Sequence, residues 1–242
     1  MTAVENQFTV LTYNIHTGKG IDGIRDLNRI GLVLEQSQAG LIGLQEVDGN
    51  ADRSCNVDQS AYLANHLKIE YHYAPALTTP FLYGNAILSK FPILAKENLI
   101  MKKTETAEDR SVAVTKVRIA NQSITFIATH LSLADKERLE QVKFIADYVR
   151  SVDTPVVVVG DWNSEPGSPA YKTITRQLVD AAAFMGLTAP TFRGFPLQKS
   201  DPGLCIDYVF VSEDIKVHSV EVIDTPASDH FPVKALLSLK TT

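Results

Sequence analysis

Pro155-Val-Val-Val-Val-Gly-Asp-Trp-Asn163 is the stretch on which the fold is read. Four consecutive valines offer no polar side, so the run suits neither a half-solvated sheet nor one stripe of a helix. It predicts a short strand buried on both faces, at the centre of its sheet. The run ends in a carboxylate and an amide two residues apart, Asp161 and Asn163. Other strand-like runs end in the same kind of group. Thr9-Val-Leu-Thr-Tyr stops at Asn14, Leu41-Ile-Gly-Leu-Gln at Glu46, and Ile124-Thr-Phe-Ile-Ala-Thr at His130. Ile206-Asp207-Tyr-Val and Ser228-Asp229-His230-Phe-Pro232 add more. One polar strand end is ordinary, because chains leave a core through polar residues. Many of one chemical kind predict a single site assembled along one sheet edge.

Working outward, β-branched and aromatic runs bounded by Asn, Asp, Gly and Pro predict strands near 7–15, 41–47, 71–77, 85–90 and 112–119. Further strands are expected at 123–130, 155–161, 206–212, 216–223 and 232–239. Three helices are expected. Asp26 caps the first, which carries Leu27, Ile30, Val33 and Leu34 on one face, and Asp58 caps the second. Ser132 and Asp135 resemble a capping box ahead of Leu139, Val142, Ala146 and Val149. Strands outnumber helices, and several are joined by connections too short for a crossover helix. The expected fold is α/β, two mixed sheets packed face to face with helices outside. No repeat or Gly/Ser linker divides the chain, so residues 1–242 read as one domain.

With 45% hydrophobic residues the chain can bury a sizeable core, and its net charge of −5 argues against broad, unspecific attraction to nucleic acid. Cys55 and Cys205 lack the paired spacing of a zinc or redox motif and read as free thiols. The N-terminal residues lack the basic and apolar regions of a signal peptide, and no apolar run reaches the roughly 20 residues of a bilayer span. A cytoplasmic protein is the expectation.

An amide oxygen and a carboxylate on neighbouring strand ends, Asn14 and Glu46, make a nest of hard oxygens suited to Mg²⁺ or Mn²⁺. Asp161 can orient a water while the Asn163 NH₂ donates to a phosphoryl oxygen; an Asx turn that merely ends the strand is the plainer alternative. Neighbours on an extended chain face opposite ways. Asp207, rather than Asp229, is therefore expected to orient His230. His130 supplies a second imidazole. The loop around His16, Lys19 and Gly23, and Arg53 after Asp48, can read a substrate headgroup or simply be solvated. Arg110, just before the strand at 112–119, can touch a phosphate, though solvation at the surface is the expectation.

Seven segments occur in the order of one family: Thr-Tyr-Asn14-Ile, Leu-Gln-Glu46-Val, Gly84-Asn85-Ala-Ile-Leu-Ser, Ala-Thr-His130-Leu, Gly-Asp161-Trp-Asn163, Asp207-Tyr-Val-Phe and Ser-Asp229-His230-Phe-Pro. From about Phe8 to Leu239 the chain resembles the endonuclease/exonuclease/phosphatase superfamily, the DNase I-like fold, and its loops resemble a bacterial branch. The resemblance implies a four-layer α/β/β/α sandwich of two mixed sheets. It implies Asn14, Glu46 and Asp229 as metal ligands, with Mg²⁺ (or Mn²⁺) as cofactor. Asp161, His230, Asp207, His130 and Asn163 follow as catalytic residues; Asn85 within its motif, and His16 and Arg53 from their loops, are the substrate-binding candidates. In DNase I-like nucleases a separate carboxylate orients the first imidazole. No such carboxylate can be placed here, so a phosphate contact is the role expected of His130. The expected activity is metal-assisted, in-line hydrolysis of a small or lipid-derived phosphodiester by a monomer. A DNA or RNA nuclease, a phosphomonoesterase and a catalytically silent phospholigand-binding module are the alternatives.

Overall fold

The computed structural model describes residues 6–104, 108–194 and 203–240. The chain opens with β1 (Gln7–Asn14), α1 (Leu27–Ser37), β2 (Leu41–Gly49) and α2 (Gln59–Leu67). A run of five strands follows: β3 (Glu70–Leu77), β4 (Leu82–Ser89), β5 (Ile93–Met101), β6 (Arg110–Ile119) and β7 (Gln122–His130). Next come α3 (Asp135–Ser151), β8 (Val156–Asp161), α4 (Pro169–Ile174), β9 (Val179–Asp180) and α5 (Ala181–Phe184). The last elements are β10 (Asp207–Val211), β11 (Ile215–Val222) and β12 (Val233–Leu239).

Two six-stranded mixed sheets result, in the orders β11-β12-β1-β2-β4-β3 and β5-β6-β7-β8-β10-β9. Each has one parallel pair, β1 with β2 and β7 with β8, and the remaining neighbours run antiparallel. The valine run behaves as a two-faced strand. Val157 and Val159 enter the core between the sheets, with Val10, Leu41, Ile87 and Phe126. Val156 and Val158 face the other way, beneath Val142, Ile145 and Val149 of α3. Across the molecule Ile30 and Leu34 of α1 and Leu63 of α2 cover Leu11, Tyr13, Ile42 and Leu44. Helix, sheet, sheet and helix therefore stack as four layers. Among the described residues no helix is long and apolar enough to cross a membrane.

Every expected strand is present, but two more exist. β5 alternates poorly because Ala95, Lys96, Glu97 and Asn98 at the sheet edge are exposed, and β9 is only two residues long. Asp26 and Asp58 cap α1 and α2, accepting from Asn28 N and Ala61 N at 2.9 Å. The capping box at Ser132 does not form, because α3 starts later, at Asp135. Ser132 Oγ instead donates to Glu137 Oε2 at 2.7 Å and accepts from Ala134 N at 3.1 Å.

The end of β8 depends on Gly160. Its φ is 153°, and a Cβ there would run into the Thr129 carbonyl oxygen on β7. Backbone cannot yield as a flexible side chain does. Gly160→Ala is expected to lower stability by about 3 kcal/mol, the upper part of the usual overpacking range, seen as a lower urea midpoint. An unchanged midpoint would show that β7 and β8 do not approach closely.

Candidate active site

β1, β2, β7, β8 and β10 deliver their polar ends to one place because of their registers. Asn14 lies opposite Gln45 on the parallel pair β1–β2, and Asp161 lies opposite both His130 and Asp207. The ladder between β2 and β4 is irregular between Leu44 and Val47, and Glu46 there takes a φ of 56°. That left-handed turn separates the two neighbours: Gln45 accepts from Thr12 Oγ1 at 3.2 Å, and Glu46 meets Asn14. A non-glycine residue in this region carries a conformational cost, which functional sites tolerate.

The Asn14 amide ties the two sheets together. Its Nδ2 lies 3.0 Å from Glu46 Oε1, 3.0 Å from Asp161 Oδ2 and 3.4 Å from His230 Nε2. Its oxygen accepts from His16 N at 3.0 Å. Asp161, 1% exposed, accepts from Asn163 N through Oδ1 at 2.9 Å. The Asx turn named as the plainer alternative is present, and it leaves Oδ2 facing the site. Burial, then the charge of Asp207, pushes the Asp161 carboxyl above the usual carboxylate range. Burial likewise leads the upward shift of Glu46.

His230 Nδ1 lies 2.9 Å from Asp207 Oδ2, while its neighbour Asp229 turns away to pair with His16 Nδ1 at 3.1 Å. Burial works to lower the His230 pKa, but the carboxylates of Asp207 and Asp161 outweigh it and raise it to about 10. The Phe192 ring covers the imidazole with centroids 4.6 Å apart. Thr191 Oγ1 accepts from both Ile206 N and Asp207 N, at 3.0 and 2.9 Å, and fixes the start of β10. Burial would raise the Asp229 carboxyl, yet the hydrogen bond and charge of His16 leave it lowered.

His130 Nε2 stands 3.1 Å from Asn163 Nδ2 and 3.5 Å from Asp161 Oδ2. Its Nδ1 meets Arg110 Nη1 at 3.2 Å. Arg110 is 8% exposed and also pairs with Glu108 at 3.1 Å, so it is not the solvated surface residue expected from sequence. Burial, then the Arg110 charge, holds the His130 pKa well below the ordinary histidine value.

The remaining candidates lie apart from this network. Asn85 is 1% exposed and gives its NH₂ to Ser111 O and Oγ at 2.8 and 3.0 Å. Only its Oδ1, which has no partner among the described residues, remains open. Arg53 forks onto buried Asp48 at 2.7 and 2.9 Å, and its guanidinium lies over Phe81 and Tyr83 at 4.8 and 5.2 Å. A cation braced in this way is not simply solvated.

The family model described as "Endonuclease/Exonuclease/phosphatase family" matches residues 11–230. The chain belongs to this family. An endonuclease/exonuclease/phosphatase from Bacteroides vulgatus superposes with a TM-score of 0.81 at 21% identity, over 97% of this chain and 99% of that one. A mannosyl-6-phosphatase from Bacteroides thetaiotaomicron gives 0.77 at 20% identity, over 96% of this chain and 100% of that one. The human Nocturnin catalytic domain with bound sulfate gives 0.72 at 17% identity, over 99% and 96%. A comparison with curated proteins found no match.

Members of the endonuclease/exonuclease/phosphatase family generally hydrolyse phosphoesters and commonly use divalent metals, and this chain's donor chemistry fits such an ion in two ways. Asp161, Asp207 and His230 bring ligand atoms within 4.8 Å of one another. That trio can take a metal only after the imidazole loses a proton, since a doubly protonated ring has no lone pair. Glu46 and Asp229 offer carboxylates without that requirement, and Asn14 can join them once its amide turns its oxygen toward Glu46. Oxygen donors of this kind suit a hard cation.

Proposed function

We propose that the protein is a Mg²⁺-dependent phosphoesterase that hydrolyses a small or lipid-derived phosphodiester. The observation that carries this reading is the Asn14 amide, which hydrogen-bonds a carboxylate from each sheet, Glu46 and Asp161, within reach of His230. Asn14, Glu46 and Asp229 would hold the metal, which supplies a Lewis acid for a phosphoryl oxygen when bound.

Every other part is protein chemistry. Asp161, with its raised pKa and its Oδ2 turned into the site, is the base that orients and deprotonates water. His230 is kept cationic by Asp207 and faces the same Oδ2 at 3.6 Å, so it can stabilise charge developing on the phosphoryl group. His130 and Asn163 donate to phosphate oxygen. His16 and Arg53 would read the headgroup, with Arg53 held in place by Asp48.

A panel of phosphodiesters, phosphomonoesters, DNA and RNA, each assayed with Mg²⁺, tests the reading. Cleavage of a small or lipid-derived diester is expected to exceed that of the others. Because net charge −5 supplies none of the bulk attraction that underlies unspecific DNA affinity, plasmid nicking at modest salt is expected to be weak or absent. Efficient nicking that disappears in Asp161→Ala would make the protein a nuclease. Preferential release of phosphate from monoesters would make it a phosphatase.

A further inference from the structure

We propose that Arg110 is a positioning residue that fixes His130 in the tautomer carrying its proton on Nε2, so that His130 and Asn163 form a two-donor seat for one phosphoryl oxygen.

The direction of one hydrogen bond decides the tautomer. A guanidinium has N–H donors and no acceptor, so Arg110 Nη1, 3.2 Å from His130 Nδ1, requires a lone pair on Nδ1. With Nδ1 accepting from Arg110, the ring has room for one proton only, and that proton sits on Nε2. In the opposite tautomer an N–H would point at the Arg110 guanidinium. Arg110 Nε already lacks a partner, so that arrangement would cost the buried cation a further hydrogen bond.

The same assignment gives Asn163 a purpose. Its NH₂ spends one hydrogen on the Leu131 carbonyl, at 2.9 Å. The other lies beside His130 Nε2–H, with the nitrogens 3.1 Å apart. Two donors this close repel unless one acceptor takes both. Asp161 Oδ2, 3.5 Å from Nε2, is too distant to do this well. A phosphoryl oxygen, rich in lone pairs, satisfies both. A carboxylate at Nδ1 would have done the reverse, placing the proton on Nδ1 and leaving Nε2 a base. Here the imidazole is a neutral donor that holds its proton throughout the reaction.

The phosphate part rests on the phosphoesterase reading; the tautomer does not. ¹⁵N NMR of the full chain, labelled in histidine and assigned with His130→Gln, reads it directly. The wild type is expected to show Nδ1 unprotonated and Nε2 protonated. Arg110→Lys, also a pure donor, is expected to keep that pattern, and Arg110→Met to give mixed tautomers with at least ~10-fold lower kcat. Arg110→Ala provides a second variant without a donor should Arg110→Met not fold. Protonated Nδ1 in the wild type, or an unchanged tautomer in the folded Arg110→Met or Arg110→Ala protein, would overturn the assignment. Inorganic phosphate is expected to shift the Nε2 resonance, and this shift is expected to be lost in Asn163→Ala. No shift with the expected tautomer present would remove the seat. A shift without hydrolysis of any ester would leave the seat standing and sink the proposed activity.

Discussion

Glu46→Gln is expected to leave a folded protein, of equal or higher stability, that is nearly inactive. Burial raises the Glu46 carboxyl pKa, so the folded state favours the neutral form of this side chain over the charged one. Glutamine is a neutral isostere, and its Oε1 can still accept from Asn14 Nδ2, as Glu46 does at 3.0 Å. The unfolding midpoint should therefore hold or rise. Function should move the other way, because an amide lacks the anion that holds a hard cation. If the missing Lewis-acid effect is worth several kcal/mol, turnover falls by roughly 10²–10³ at a tenfold loss per 1.36 kcal/mol. Thermal unfolding and turnover against Mg²⁺ concentration check both halves. Near wild-type turnover at low Mg²⁺ would remove Glu46 from metal binding.

The sheets were legible because their strands carry strong local signals. The valine run could only be a two-faced strand, and Val156–Val159 divide between two cores accordingly. β5 was hidden because an edge strand need not alternate, and exposed Lys96, Glu97 and Asn98 interrupt its apolar residues. The candidate site was legible as a set of residue types but less so as contacts. Glu46 reaches Asn14 through a left-handed backbone turn that sequence does not announce. His16 and Asp229 pair across more than 200 residues, though one was expected at substrate and the other at metal. Arg110 was misplaced because an arginine ahead of a strand looks solvated. The signal that could have placed it was the short connection between β6 and β7. Their register sets Val112 opposite Thr129, which carries Arg110 up beside His130. Register, not composition, decides which charges become buried pairs.

Asp207 and His230 are expected to act as one unit, and the proof is non-additivity. Asp207→Asn keeps the shape of the side chain but takes away the charge that holds the imidazolium, whose raised pKa depends on its carboxylate neighbours. His230→Ala removes the imidazole and leaves Asp207, 3% exposed, without the partner of its Oδ2, while its Oδ1 already has none among the described residues. Each substitution is expected to lower kcat by roughly 10²–10⁴, the range for a lost acid–base group. His230→Ala should also destabilise the fold, since breaking a buried pair costs about 3–5 kcal/mol. Asp207→Asn should cost less, because an amide tolerates burial better than an unpaired charge. In the double mutant the stranded carboxylate is gone. It should be more stable than His230→Ala and little slower than the worse single mutant, as groups that work together show. Folded fraction and kcat measured on all four proteins close the cycle. Rate losses that multiply would mean that His230 works without Asp207. A double mutant less stable than His230→Ala would mean that the carboxylate is not stranded when the imidazole is removed.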